Sequence, residues 1–161
     1  LDLIKEMNLS EVEILDLLQY NFPLFYERLT YKVAPSPEMI DFSEKIKSAD
    51  GVLIISPEYN GGPIASLKNA VDLLTDEWRR KPVAFVTVSD GNFGGTQAII
   101  SLQFTLWKLG ALTVPVTMRL PNIISTFDEK GIPYDKQTTD KRGINFVKEL
   151  LWHIEAKKRM F

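Results

Sequence analysis

The chain has 161 residues, enough to bury a substantial core and too few for two ordinary domains, so residues 1–161 are predicted to form one domain. It has no cysteine and one histidine, which excludes disulfides, cysteine nucleophiles, thiolate metal sites and histidine-rich metal sites. The formal net charge of −2 gives no reason to expect nucleic acid or an anionic membrane as a partner.

The beginning of the chain is predicted to form peripheral elements. Residues 1–10 lack the plan of a signal peptide, and no segment has the length of a membrane span, which favours a cytoplasmic location. The apolar residues between Leu1 and Leu9 indicate the tail of a helix that ends at Asn8. Glu11–Leu17 alternates acidic and apolar residues, which predicts a strand near a sheet edge. The aromatic-rich segment Tyr20–Tyr31 follows neither period and is predicted to be an ordered covering loop.

A strand, a polar loop and a helix then follow one another. A helix is predicted to begin at Pro37, with Ser36 as its cap. The continuous apolar run Val52–Ile55 is typical of a parallel strand that is buried on both faces. The two prolines and two glycines of Ser56–Pro63 favour a loop and exclude both strand and helix there. Apolar residues at helical spacing predict a helix over 64–75.

The same order of elements is repeated further along the chain. Pro82–Val88 predicts a second buried strand, and Ser89–Gly95 predicts a second glycine-rich loop. A helix is predicted over Thr96–Leu109, and an irregular strand, because it contains a proline, over Leu112–Met118. Thr139–Lys158 is predicted to be the closing helix.

Strands that alternate with helices predict an α/β fold with a doubly wound parallel sheet in three layers. Right-handed crossovers bring both glycine-rich loops to the carboxyl edge of the sheet, where open α/β sheets bind their ligands. Such a sheet normally opens with a strand and a turn that cradles a phosphate group. The sequence contains neither, so the native polypeptide is expected to extend before Leu1.

The first loop and its helix carry a recognisable pair of segments. Ser56–Gly62 reads Ser-Pro-Glu-Tyr-Asn-Gly-Gly, and Ser66–Asp72 reads Ser-Leu-Lys-Asn-Ala-Val-Asp. This pair resembles the flavin-loop signature of the NAD(P)H-dependent FMN reductases, a flavodoxin-like family. The resemblance implies that FMN is bound, that NADH or NADPH reduces it, and that electrons pass to a small acceptor such as free flavin, a quinone, an azo compound or a metal ion. It further implies a homodimer or homotetramer with flavin sites near the subunit interface.

The resemblance also implies which residues bind the flavin. They are Pro57, Glu58, Tyr59, Asn60 and Gly61 in the first loop, and Ser89, Asp90, Gly91, Gly94 and Gly95 in the second. Because the cofactor carries the chemistry, no catalytic side chain and no metal ligand is assigned. The family's phosphate motif, of the type Gly-Ser-x-Arg-x-x-Ser, has no counterpart in this sequence.

Three alternatives remain open on the sequence alone. The glycines can be ordinary tight turns, and Asp90 can be a turn or helix-capping residue rather than a flavin contact. The chain can be a flavodoxin-like electron carrier without its own pyridine-nucleotide activity, although its balanced charge speaks against an acidic docking face. It can also be a cofactor-free interaction subunit.

Overall fold

The computed structural model describes residues 2–7, 9 and 11–160. Its helices are α1 (Asp2–Glu6), α2 (Leu17–Tyr20), α3 (Pro37–Ser48), α4 (Ala65–Leu73), α5 (Thr96–Lys108), α6 (Ile123–Thr126) and α7 (Lys136–Met160). Its strands are β1 (Val52–Tyr59), β2 (Gly62–Pro63), β3 (Pro82–Val88), β4 (Leu112–Thr113) and β5 (Met118–Leu120). Short turns of 3-10 helix lie at Leu29–Tyr31 and Asp76–Trp78. The helix end that was predicted at Asn8 lies outside the described residues.

Strand β3 is the central strand of a mostly parallel sheet. It pairs in parallel with β1, in a register that runs from Val52 opposite Val83 to Pro57 opposite Val88. On its other side it pairs in parallel first with β4 and then with β5. Strand β2 folds back antiparallel onto the end of β1. The carboxyl ends of β1, β3 and β5 therefore lie at one edge of the sheet.

Helices cover both faces of this sheet. Val83 and Phe85 of β3 belong to one hydrophobic cluster, with buried residues of α3, α4 and α5. Ala84 and Val86 point to the opposite face and belong to a second cluster with buried residues of α7. A strand that is buried on both faces needs apolar side chains at successive positions, as the run in β3 has. The predicted three-layer, doubly wound arrangement is confirmed.

The buried side chain of Lys81 caps the carboxyl end of α3. Lys81 lies buried just before β3, and its ammonium group donates hydrogen bonds to the carbonyl oxygens of Ala49 and, at 3.0 Å, of Lys47. These carbonyls lie at the carboxyl end of α3, where the helix itself offers no donors. Burial lowers the pKa of Lys81 to about 8.

The prediction of a strand over Glu11–Leu17 is wrong. Residues 11–16 have no regular structure, Val12 and Ile14 are exposed, and Asp16 caps the short helix α2. Among the described residues, the edge of β1 that faces away from β3 pairs only with β2, near its carboxyl end. Without a neighbouring strand, an extended segment leaves its backbone groups unpaired, so the alternating pattern alone does not make a strand.

Two further boundaries differ from the prediction. The strand predicted over Leu112–Met118 is two short strands, which Pro115 separates. Helix α7 begins at Lys136 rather than Thr139, because the Asp135 carboxylate accepts a hydrogen bond from an amide of its first turn.

The aromatic segment Tyr20–Tyr31 is an ordered loop that packs on α3 and α4. The Asn69 side chain donates to the carbonyl oxygen of Pro23 at 2.7 Å and accepts a hydrogen bond from the Phe25 amide. The rings of Tyr20 and Phe42 lie edge to face, 5.3 Å apart.

None of the helices in the described part of the chain has both the length and the apolar character that a bilayer-spanning helix needs.

Candidate functional site

The first predicted loop is a β-hairpin. The prediction that Ser56–Pro63 excludes a strand is wrong, because β1 continues to Tyr59 and β2 pairs with its last two residues. The turn between them is Asn60–Gly61, with positive φ angles of 51° and 75°. Two-residue hairpin turns of type I′ need positive φ at both positions, and Asn-Gly is their preferred sequence. Pro57 is tolerated because the outer edge of β1 pairs with no described strand at that position.

The second glycine-rich loop is held by hydrogen bonds within itself and to β3. The Ser89 hydroxyl accepts a hydrogen bond from the Gly91 amide at 2.9 Å, and the Gly94 amide donates to the Gly91 carbonyl at 3.3 Å. The hydroxyl of Thr87, a fully buried residue of β3, donates to the Gly94 carbonyl at 2.6 Å. The loop therefore has a defined shape before any ligand binds.

The two loops touch where α5 begins. A Cβ atom at Gly95 would lie 3.4 Å from Oε2 of Glu58, which places that carboxylate of β1 beside the second loop. The same atom would lie 2.6 Å from the Cβ of Thr87, closer than side chains tolerate. A Cβ atom at Gly61 would lie 2.5 Å from Oε1 of Gln97, so the hairpin turn packs against the first turn of α5. The approach to Thr87 and the φ of +80° both require glycine at Gly95, whereas at Gly61 it is the φ of +75° that favours glycine, because the end of the Gln97 side chain can move.

The structure brings the predicted residues to one edge of the sheet, with different exposure. Tyr59 is 69% exposed, whereas Gly94 and Gly95 are buried. Asp90 and Gly91 are exposed at the tip of the second loop. The capping role considered for Asp90 is absent, because α5 follows Gly95 and has no side-chain cap.

This edge of the sheet also offers unused hydrogen-bond donors. The backbone amides of Asp90, Asn92 and Phe93 donate to no atom of the described residues. The rings of Tyr59 and Phe93 stand exposed on the two loops, at 69% and 84%. Amide donors beside exposed aromatic rings suit a flat ligand that carries hydrogen-bond acceptors on its rim.

Residues after β5 complete this edge and were not found from the sequence. The Ser89 amide donates to the Leu120 carbonyl at 3.0 Å, and the Ile123 amide donates to the Ser89 carbonyl at 3.2 Å. Asn122 lies between them with a φ of 50°. The Pro-Asn pair at 121–122 is a turn signal that could have drawn attention to this segment.

Thr87, Gln97 and Arg119 were also missed. Thr87 is a polar residue inside an apolar run, and this is the signal that could have marked it. The Arg119 guanidinium donates to the Thr96 hydroxyl at 3.1 Å, at the start of α5. No local pattern predicts that contact or the one between Gln97 and Gly61, because each joins segments far apart in the sequence.

Comparison with solved structures supports the fold. The chain is similar to the flavoenzyme NAD(P)H:(acceptor) oxidoreductase FerB of Paracoccus denitrificans, with a TM-score of 0.72 and 22% sequence identity. The match covers 95% of this chain and 86% of that chain. The flavodoxin-like doubly wound fold is thereby confirmed.

Sequence comparisons identify relatives and a family. A quinone reductase of Pseudomonas putida is 38% identical over 135 residues, which are 80% of this chain and 69% of that protein. An NAD(P)H-dependent FMN reductase of a Nectria species is 33% identical over 118 residues, 69% of this chain. The chain spans only 58% of that relative's length. The sequence model of the NADPH-dependent FMN reductase family matches residues 1–123, which include both glycine-rich loops. The chain therefore belongs to the NADPH-dependent FMN reductase family.

Proposed function

We propose that the protein is an oxidoreductase that binds FMN, takes reducing equivalents from NADPH or NADH, and delivers them to a small acceptor. The observation that carries this proposal is the contact between the two glycine-rich loops, where Glu58 lies beside Gly95 and Gln97 lies beside Gly61. The two loops follow adjacent parallel strands and touch each other at the edge where open α/β sheets bind their ligands, which supports a ligand site over two unrelated turns. Membership of the family points to FMN as the ligand.

The residues at this edge fit the ring end of FMN. The isoalloxazine ring is flat and carries acceptor atoms on its rim, which match the exposed rings and the unused amides of the second loop. We assign the ring to the residues predicted from the sequence, with Tyr59 and the Asn60–Gly61 turn on one side and Ser89–Gly95 on the other. When bound, FMN would supply the redox chemistry, since it accepts a hydride and releases electrons to an acceptor.

The chain's own residues would bind the flavin ring, orient it and shield it. The hydrogen bond from Thr87 to Gly94 and the packing of Gln97 on Gly61 fix the two loops relative to each other. A site that is fixed in advance loses less entropy when a ligand binds. No side chain is assigned to proton transfer, because hydride transfer to the flavin needs no acid or base and a reduced quinone can take its proton from water.

For the acceptor we propose a quinone, with free flavin, azo compounds and metal ions as further candidates. The printed name of the Pseudomonas putida relative, quinone reductase, supports the first of these. We also propose a cytoplasmic location, because reduced pyridine nucleotides are supplied inside the cell.

We expect Tyr59→Ala to weaken FMN binding about threefold to tenfold, the loss expected for one aromatic contact with the ring. Because Tyr59 is 69% exposed, the unfolding midpoint in urea should not change. The measurement is a titration of the purified protein with FMN, followed by quenching of flavin fluorescence.

Tyr31→Ala is the matched control for this experiment. Tyr31 is 71% exposed and lies in the aromatic segment on α3 and α4, so its removal should leave FMN affinity unchanged. Equal affinity in the wild type and in Tyr59→Ala would contradict the assignment of this ring. If the protein changes neither the spectrum nor the fluorescence of FMN, the oxidoreductase proposal fails.

We also propose a homodimer, or a tetramer built from such dimers, that forms through an apolar stripe on α5. The stripe consists of Ile100, Phe104 and Trp107, which are 60%, 63% and 63% exposed. Their spacing of four and three residues places them on one face of the helix. Contiguous exposed apolar surface is typical of interfaces. Because α5 begins at the second glycine-rich loop, such a dimer would bring the flavin site close to the partner subunit.

We expect Trp107→Asp to convert the dimer into monomers, because an unpaired carboxylate would have to be buried in the interface. Sedimentation velocity at micromolar protein concentration measures the change. Trp152→Asp is the control, since Trp152 is similarly exposed but lies on α7. A wild type that sediments as a monomer, or a Trp107→Asp variant that stays dimeric, would contradict this interface.

A further inference from the structure

A cavity lies beside the candidate flavin site. It is an open cleft with a volume of about 320 Å³, and it is lined by the end of β5, by α6 and by the start of α7. Leu120 belongs to its wall, and the carbonyl of the same residue accepts the hydrogen bond from the Ser89 amide. The cavity and the second glycine-rich loop therefore share a wall at the same edge of the sheet. Most of the cavity's lining lies beyond residue 123, where the match to the family ends.

The lining combines aromatic, hydroxyl and charged groups. Phe127 and Tyr134 contribute rings, and Tyr134 is 70% exposed. Thr139 contributes a hydroxyl that bonds to no described residue. Arg142 and Asp135 contribute opposite charges. A cavity of this composition suits a ligand that has an aromatic ring, several hydroxyls and an anionic group.

The positive charge of Arg142 is held in place and left available. One guanidinium nitrogen of Arg142 donates to the Arg119 carbonyl at 2.8 Å, which orients the planar group. No carboxylate of the described residues lies within ion-pair distance of it. A guanidinium has five N–H donors in a fixed plane, so several remain for a phosphate.

Asp135, by contrast, is already engaged. Its carboxylate accepts a hydrogen bond from the Thr138 amide at 3.0 Å, and hydrogen bonds from Thr138 hold the pKa of Asp135 below its usual range. Its second oxygen can accept a hydrogen bond from a ligand hydroxyl, whereas it would repel an anion placed next to it. The lining thus offers a group that can bind an anion, Arg142, and a group that can bind a hydroxyl, Asp135.

We propose that this cavity binds the adenosine phosphate end of the reductant, with the adenine ring against Phe127 and Tyr134 and a phosphate group on Arg142. The inference rests on the proposed function, since it supposes that NADPH or NADH is the reductant. A dinucleotide whose nicotinamide meets the flavin must place its adenosine elsewhere on the surface. The cavity lies at the same sheet edge, separated from the second loop by the Leu120–Ile123 wall.

The test uses nucleotide fragments that lack nicotinamide, so that binding is measured without turnover. The purified protein is titrated with 2′,5′-ADP and with 5′-AMP in a calorimeter, with and without FMN. We expect saturable binding of at least one fragment and an affinity about tenfold lower in Arg142→Gln, as for the loss of a charge-assisted hydrogen bond. A loss in Arg142→Gln that is confined to 2′,5′-ADP would place the 2′-phosphate on Arg142, and an equal loss for both fragments would assign Arg142 to the 5′-phosphate.

Two further variants make the result specific. Lys141→Gln removes a neighbouring exposed charge that does not line the cavity, and it should bind both fragments like the wild type. Tyr134→Ala removes an exposed ring and should weaken the nucleotides but not inorganic phosphate. Arg142→Lys, which keeps the charge, should restore part of the affinity.

The outcomes separate this inference from the proposed function. Fragment affinities that are unchanged in both Arg142→Gln and Tyr134→Ala, in a protein that binds FMN normally, would overturn the cavity assignment alone. A wild type that binds a nucleotide fragment but not FMN would contradict the assignment of the flavin site and leave the cavity assignment standing. Failure of the wild type to bind either fragment overturns the inference.

Discussion

Gly95→Ala should lower the free energy of unfolding by roughly 2–5 kcal/mol, as a left-handed φ at a non-glycine residue and a steric overlap in a packed core add together. Gly95 has a φ of +80°, and its new Cβ would lie 2.6 Å from the Cβ and 2.9 Å from the hydroxyl oxygen of Thr87. Thr87 is buried in the central strand β3 and has no room to withdraw. The second loop would have to move away from the sheet, so we expect FMN binding to be lost as well.

Gly131→Ala is the matched control, since it separates the cost of the backbone angle from the cost of the contact. Gly131 has a φ of +77°, but a Cβ placed there meets no atom within 4 Å. We expect Gly131→Ala to lower the free energy of unfolding by about 1–2 kcal/mol, for the angle alone, and to leave the FMN affinity unchanged. Urea unfolding midpoints and FMN titrations of both variants measure the difference. Equal losses in the two variants would show that the approach of Gly95 to Thr87 does not constrain the loop.

The elements around β3 could be predicted from the sequence because each of them carries a strong local signal. The apolar run at Pro82–Val88 leaves no alternation, as a strand buried on both faces requires. Helix α3 begins at Pro37 because Ser36 caps it, with its hydroxyl 3.4 Å from the Met39 amide. For these segments, the local preference and the tertiary environment favour the same structure.

Glu11–Leu17 and Ser56–Pro63 show where local patterns fail. The first has the alternation of a strand, but pairing requires a neighbour, and no described strand lies beside it. In the second, the prolines and glycines led to the prediction of a loop, whereas the Asn-Gly pair at 60–61 indicates a hairpin turn. Proline is tolerated at a strand edge, so it does not exclude the hairpin. The missing information was the position of each segment within the sheet.

The candidate site, too, could be predicted from the sequence only in part. The two glycine-rich loops could be found from composition and from the resemblance at Ser56–Gly62. The approach of Glu58 to Gly95, and that of Gln97 to Gly61, depend on the packing of α5 against β1 and β2. Gln97 and Gly61 are far apart in the sequence and leave no periodic signal. The apolar run around Thr87 marks that residue as unusual, but only the folded chain shows that its hydroxyl bonds to Gly94 and holds the second loop.

Thr87→Val should lower the free energy of unfolding by roughly 1–3 kcal/mol, the cost of leaving a buried carbonyl without a donor. The Thr87 hydroxyl donates to the Gly94 carbonyl at 2.6 Å, and the residue is fully buried, so water cannot replace it. Valine has nearly the same shape, which keeps the packing of β3 and isolates the hydrogen bond. Because that bond ties the second loop to the sheet, we expect FMN affinity to fall as well.

Thr113→Val tests whether the loss comes from the hydrogen bond or from the substitution itself. Thr113 lies in β4, beside β3, and its hydroxyl bonds to no described residue, so its replacement should change neither the unfolding midpoint nor the FMN affinity. A Thr87→Val variant that loses stability but binds FMN like the wild type would show that the bond supports the fold without shaping the flavin site. If both quantities stay at their wild-type values, the Gly94 carbonyl has found another donor, and the loop is held by Ser89 and by the segment after β5 instead.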